Sequence, residues 1–195
     1  IMELIGIIIV AIFVNNVVFS QFLGIYPRLG VSKKVDTAIE MDFAVMFVLT
    51  MATIVTFIVQ KGILEQFGLE YLQTSTFILV IASLVQMVEI ILKKTSPSLY
   101  QALGVFLPLI TTNCVILGVA ILVIQKDYNL LESVIYAVAT AIGYAMALII
   151  FSSIREQLAL TKVPKTMQGV PIALITAGVI AMAFMGFSGI DQVFK

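Results

Sequence analysis

Six apolar stretches fill most of this chain, and each has about the ~20 residues that a helix needs to cross ~30 Å of hydrocarbon. They run approximately from Met2 to Tyr26, Ala38 to Gln60, Tyr71 to Leu92, Tyr100 to Gln125, Leu131 to Ile154 and Val170 to Phe187. The connectors, Pro27 to Asp36, Lys61 to Glu70, Lys93 to Ser98, Lys126 to Asn129 and Arg155 to Gly169, are short and polar or carry Gly and Pro. This pattern predicts an all-α polytopic membrane protein, with six transmembrane helices in a single domain over residues 1–195 and no globular insertion to house a catalytic headgroup. Hydrophobic residues make up 61% of the chain and charged residues 11%, against roughly half and roughly a quarter in soluble domains. An ordinary soluble fold is excluded. The first stretch has neither a basic n-region nor a small-residue cleavage site, and reads as a retained helix rather than a signal peptide.

The few charges indicate which way the chain faces. Arg28, Lys33, Lys34, Lys93, Lys94, Arg155, Lys162 and Lys165 lie on the connectors after the first, third and fifth stretches, whereas Lys61, Lys126 and Lys195 lie on the other side. Eight cations against three put the first group in the cytoplasm and both termini outside, by the positive-inside rule. Formal net charge is zero and histidine is absent. No basic stripe is offered to nucleic acid, and no imidazole can serve as base, proton relay or metal ligand. The G-x-x-x-x-G-K-S/T and G-x-S-x-G patterns are missing too, so the chain alone is neither a nucleotidase nor a hydrolase.

Stretches one and four carry polar residues where the other four are nearly clean. In the first these are Asn15, Asn16, Ser20, Gln21, Gly24 and Pro27; in the fourth they are Pro108, Thr111, Thr112, Asn113 and Gly118. Backbone that leaves the helix ladder inside a bilayer survives only where it is packed or lines a site, so helices one and four are expected to be interrupted. Matching interruptions three helices apart are what two inverted three-helix repeats would leave, one over about 1–94 and the other over about 95–195.

The chain has one cysteine, Cys114, too few for an internal disulfide or for a closed metal site of its own. Any metal must be shared. A cysteine in an apolar helix is commonly a small packed hydrophobe. The preceding Thr111-Thr112-Asn113 favours a second reading, because amides at a helix break stabilise a thiolate or the sulfide of an iron-sulfur centre. For Asn15 and Asn16 the choice is between interhelical hydrogen bonding and a broken helix or polar lining, since adjacent amides point ~100° apart on a helix. Glu89 reads as an i,i+4 partner of Lys93 or as an ion-binding carboxylate. Gly178, Gly186 and Gly189, with Ala141, Gly143, Ala145 and Ala147, predict close helix packing.

The strings Asn15-Asn16, Phe22-Leu23-Gly24, Gly30-Val31-Ser32-Lys33-Lys34, Lys94-Thr95-Ser96-Pro97-Ser98-Leu99-Tyr100, Leu107-Pro108-Leu109-Ile110-Thr111-Thr112-Asn113-Cys114, Ile154-Arg155-Glu156 and Leu174-Ile175-Thr176-Ala177-Gly178 closely resemble the family of A subunits of Rnf ion-translocating electron-transport complexes. They are also similar to the E subunits of the related sodium-translocating NADH:quinone reductases, although the doubled asparagine and the Thr-Thr-Asn-Cys spelling fit the Rnf family better. The resemblance implies a six-helix component of the bacterial inner membrane, paired in inverted orientation with the homologous Rnf E subunit. It implies a 2Fe-2S cluster held by two cysteines from each partner, and electron flow between the ferredoxin or NADH side, the B and C subunits, and the flavin-bearing D and G subunits. Export of Na⁺ or H⁺ is implied as well. By the same resemblance Cys114 is a metal ligand, with Thr112, Asn113, Gly24 and the position of Tyr26 around the cluster.

At that last position the chain departs from the family. The family's first cysteine follows Phe-Leu-Gly-x, and after Phe22-Leu23-Gly24-Ile25 stands Tyr26. A phenolate is a harder donor than a thiolate and must lose a proton from a reference pKa near 10. Tyr26 as ligand, a partner residue or water in its place, and an altered or lost cluster all stay open. The expected function is thus that of an electron-conducting subunit of an ion-pumping ferredoxin:NAD⁺ oxidoreductase, not catalytic alone. Its rivals are a secondary transporter built on broken helices and a scaffold with no redox centre of its own.

Overall fold

A computed structural model describes residues 2–24, 35–95, 110–161, 164 and 166–187. Among these residues all regular structure is helical. Helix α1 spans Met2–Ile9 and continues as a π-helical turn over Val10–Val14. Helix α2 spans Val35–Val59 and carries on through a π turn, Gln60–Leu64, and a last α turn, Glu65–Phe67. A 3-10 turn, Glu70–Leu72, leads into α3, Gln73–Thr95. Then come α4, Cys114–Gln125, α5, Leu130–Leu160, and α6, Val170–Met185.

Three helical runs are long and apolar enough to cross a membrane, Met41–Phe67, Glu70–Ile91 and Leu130–Leu160. Leu4–Val14, Cys114–Gln125 and Val170–Met185 are apolar but shorter. Two of these short runs end or begin where the first and fourth stretches are expected to break. Two expected connectors are shorter than hydropathy suggests. The helix after Gln60 persists to Phe67, across an i,i+4 ion pair of Lys61 with Glu65 at 3.3 Å, and stops where Gly68 adopts a left-handed φ of 64°. Only a residue without Cβ takes that turn at little cost. Likewise α5 runs past Ile154 to Leu160, since Arg155 and Glu156 leave the apolar layer without breaking the backbone ladder. Between α4 and α5 the polar linker is short, as expected. Glu132 Oε2 accepts from Asn129 N–H at 2.9 Å, the N3-to-cap half of a capping box.

The contacts divide into two compact units, each drawing on both halves of the sequence: residues 1–42 with 139–195, and residues 43–138. In the first unit α1 lies very close to α5. A Cβ on Gly143 would stand 3.2 Å from Ile12 Cα and 3.4 Å from Ala11 O, so the expected small-residue packing is real there. Phe19 and Phe184 rings meet at 4.8 Å between centroids, tying the backbone after α1 to α6. Gly178, by contrast, would meet nothing within 4 Å if it carried a Cβ, and closes no helix contact among the described residues. In the second unit α3 packs on α4, burying Phe77, Ile81 and Val85 on one side and Val115, Ile116 and Val119 on the other. Thr53 and Thr56 of α2 are buried and donate back to Leu49 O and Ala52 O at 2.8 and 2.7 Å, which removes their need for water.

Candidate functional site

The second unit contains the break ahead of α4. Ile110 and Thr111 are still helical, and Asn113 N–H closes that turn onto Ile110 O at 3.1 Å. Asn113 then leaves the helix with φ −74° and ψ 112°, and its Oδ1 accepts from Val115 N–H at 3.1 Å. This is what a short side-chain carbonyl does at an N-cap: it satisfies one of the donors that every helix start leaves open. Cys114 becomes the first residue of α4.

Around this break is a cleft of about 310 Å³. Ile78, Ile81 and Ala82 of α3 form one wall, and Thr111, Thr112, Asn113, Cys114 and Leu117 form the other. Cys114 is exposed. Asn113 is 4% exposed, and its Nδ2 is shut off from water with no acceptor among the described residues. Because Val115 N–H fixes which end of the amide is oxygen, the end left over is a donor. Burying a donor unmatched costs roughly 1–3 kcal/mol. An exposed thiol and, on the preceding residue, an N–H unmatched among the described residues both belong to the cleft lining, which suits a soft metal centre whose sulfurs accept hydrogen bonds. This chain can supply one thiolate to it, and the other ligands must come from elsewhere.

The first unit contains the break after α1. Asn15 ends the π turn, its N–H on Val10 O at 2.7 Å. Asn16 is fully buried and uses its whole amide. Nδ2 donates to Ile12 O at 3.0 Å and to Gly143 O at 2.9 Å, while Oδ1 accepts from Val18 and Phe19 N–H at 3.1 and 3.4 Å. Both readings of this pair therefore hold, a broken helix and an interhelical bond. The chain then passes through two left-handed residues, Phe22 at φ 56° and Gly24 at φ 75°.

Of the expected site residues, Thr112, Asn113 and Cys114 share one cleft. Gly24 is buried in the first unit and is not among the residues lining that cleft. Tyr26 and Pro108 lie outside the described residues. Glu89 is partly buried near the end of α3. One group escapes a reading of the sequence, because the second stretch is less clean than its hydropathy suggests. Asp42 in α2 is 6% exposed, and both carboxylate oxygens are shut off from water without a donor among the described residues. The available signal was simply an acid inside an apolar run. The first unit also has a wider cleft of about 430 Å³, lined by Arg155, Gln168 and Gly169.

Residues 4–191 match the Rnf-Nqr subunit family of membrane proteins. The chain is 58% identical to a protein of Acetobacterium woodii, named as the A subunit of a Na(+)-translocating ferredoxin:NAD(+) oxidoreductase complex, over 96% of this chain and 98% of that one. Two proteins named as A subunits of ion-translocating oxidoreductase complexes are similar as well. That of Syntrophotalea carbinolica is 53% identical over 96% of this chain and 97% of its own length; that of Vibrio campbellii is 50% identical over 96% and 98%. With the helical fold and the two breaks in place, the chain belongs to the Rnf-Nqr family of membrane subunits.

Proposed function

We propose that the chain is an electron-conducting membrane subunit of an Rnf-type ion-translocating ferredoxin:NAD⁺ oxidoreductase complex in the bacterial inner membrane. The observation that carries this is the cleft at Asn113 and Cys114, lined by an exposed thiol at a helix start and by the preceding residue, whose buried amide donor is unmatched among the described residues. Similarity over nearly the whole chain to proteins named as the A subunits of such complexes supports it. Cys114 is one thiolate ligand of a 2Fe-2S cluster shared with the E subunit, the inverted homologous partner. When bound, that cluster supplies one-electron transfer between the ferredoxin and NADH side, the B and C subunits, and the flavin-bearing D and G subunits.

The chain's own residues hold and flank the centre. Asn113 caps α4 and so orders the backbone that carries Cys114. Ile78, Ile81, Ala82 and Leu117 give the cleft an apolar wall on either side of the thiol. The six stretches span the membrane as two inverted repeats, with both termini outside. Na⁺ or H⁺ export is coupled to electron flow when reduction changes the energy gap between two access states of those repeats.

Iron, acid-labile sulfide and electron paramagnetic resonance of the purified complex test this. Cys114→Ser should abolish the cluster signal to which this chain contributes; a full-strength signal in that variant would remove Cys114 from the ligand set. A second reading, a scaffold without its own centre, is favoured by one observation, Tyr26 in place of the family's other cysteine. It predicts no such cluster in the unaltered complex and its appearance only with Tyr26→Cys.

A further inference from the structure

Capping α4 requires only an oxygen. Serine or threonine would also accept from Val115 N–H, and neither would leave a second polar arm buried. Asn113 has that arm. Its Oδ1 is committed to Val115 N–H at 3.1 Å, it is 4% exposed, and its Nδ2 lacks both water and acceptor among the described residues. Asn16 shows what a satisfied amide looks like in this protein, with two carbonyls within 3.0 Å of its Nδ2. Among the described residues nothing accepts from Asn113 Nδ2, Asn113 lines the cleft, and the residue next in the chain is the exposed Cys114.

We infer that Asn113 donates its Nδ2 hydrogen to a sulfur of the centre bound at Cys114, and that this bond sets how readily the centre is reduced. The proposal rests on the shared-cluster reading above. Adding one electron to the centre adds negative charge to its sulfurs, so an N–H···S bond is stronger in the reduced form. Hydrogen bonds to sulfur are one of the levers that set the potentials of such centres. Asn113 is thus a positioning residue with two separable tasks, the oxygen ordering α4 and the nitrogen tuning the cluster.

The two tasks separate in Asn113→Ser, which keeps a neutral capping oxygen and removes the amide nitrogen; Asn113→Thr is the second variant if that complex does not assemble. In the purified complex, a redox titration followed by electron paramagnetic resonance should find the signal intensity kept. The ratio of reduced to oxidised cluster at the original midpoint should fall about tenfold, which is 59 mV for a one-electron couple. Thermal stability should stay unchanged. A cluster that is present, depends on Cys114 and keeps its midpoint in both variants overturns the inference and leaves the cluster reading standing. If the midpoint holds while the complex dissociates more easily, the acceptor is a partner's carbonyl and the inference fails. Absence of any cluster signal that depends on Cys114 in the unaltered complex overturns both.

Discussion

At the break after α1, one asparagine spends all of its hydrogen-bonding capacity inside the protein; at the break before α4, another spends half. Asn16 joins Ile12 O, Gly143 O and two N–H groups of the next turn, and a Cβ on Gly143 would crowd it at 3.3 Å. Asn113 joins one N–H and opens on a cleft. The same local device, an amide oxygen capping the backbone that resumes after a gap, is a brace with every arm used in one unit and leaves an arm without a partner among the described residues in the other. A broken helix in a membrane protein therefore does not identify a site by itself; what identifies it is the polar atom that the break leaves unanswered.

The contrast can be broken most severely at the sulfur. Cys114→Ser should abolish the cluster signal of the complex while leaving its assembly close to normal, as read by electron paramagnetic resonance and native mass. Next in size, Asn16→Leu should destabilise the protein by about 2–4 kcal/mol, because Gly143 O and Val18 N–H lose their partner in a buried place. Thermal inactivation in detergent would show it, and an unchanged midpoint would mean that water enters the break. Gly143→Ala should cost about 1–3 kcal/mol by overpacking, since the crowding atom at 3.2 Å is Ile12 Cα, part of the main chain; the same thermal assay reads it. The smallest effect is expected at Asn113→Ala. A lost cap costs about 1 kcal/mol, and deleting a buried donor without an acceptor gives part of that back. If Asn113→Ala proved as damaging to stability as Asn16→Leu, the two breaks would be structural equals and the contrast would be lost.

The positions of both breaks were legible in the sequence, since Asn15-Asn16 and Thr111-Thr112-Asn113 interrupt otherwise apolar runs. Their difference was not, because it depends on a partner 127 residues away in the chain, the carbonyl of Gly143, and spacing along the sequence does not reveal such a contact. Helix ends at Phe67 and Leu160 were missed for a simple physical reason. Hydropathy records where apolar surface stops, whereas a helix stops where its ladder is broken, as at Gly68. Asp42 was missed because one acid does little to the average of a long apolar run, and only the fold shows that its carboxylate is buried. Family membership was readable from the polar strings, while the role of position 26 stays with Tyr26 itself.

Helix α4 also acts as a ruler. It has 12 residues, so at ~1.5 Å per residue it is about 18 Å long. Its far end at Gln125 is followed by Lys126, which lies 4.8 Å from the centre of the Tyr136 ring, a basic and aromatic pair of the kind that marks a membrane surface. A helix of that length standing upright from such a surface would carry its first residue past half of a layer ~30 Å thick. Adding or removing one helical turn between that pair and the thiol would shift it by about 5.4 Å. The length of α4 therefore sets how far Cys114 stands from Lys126.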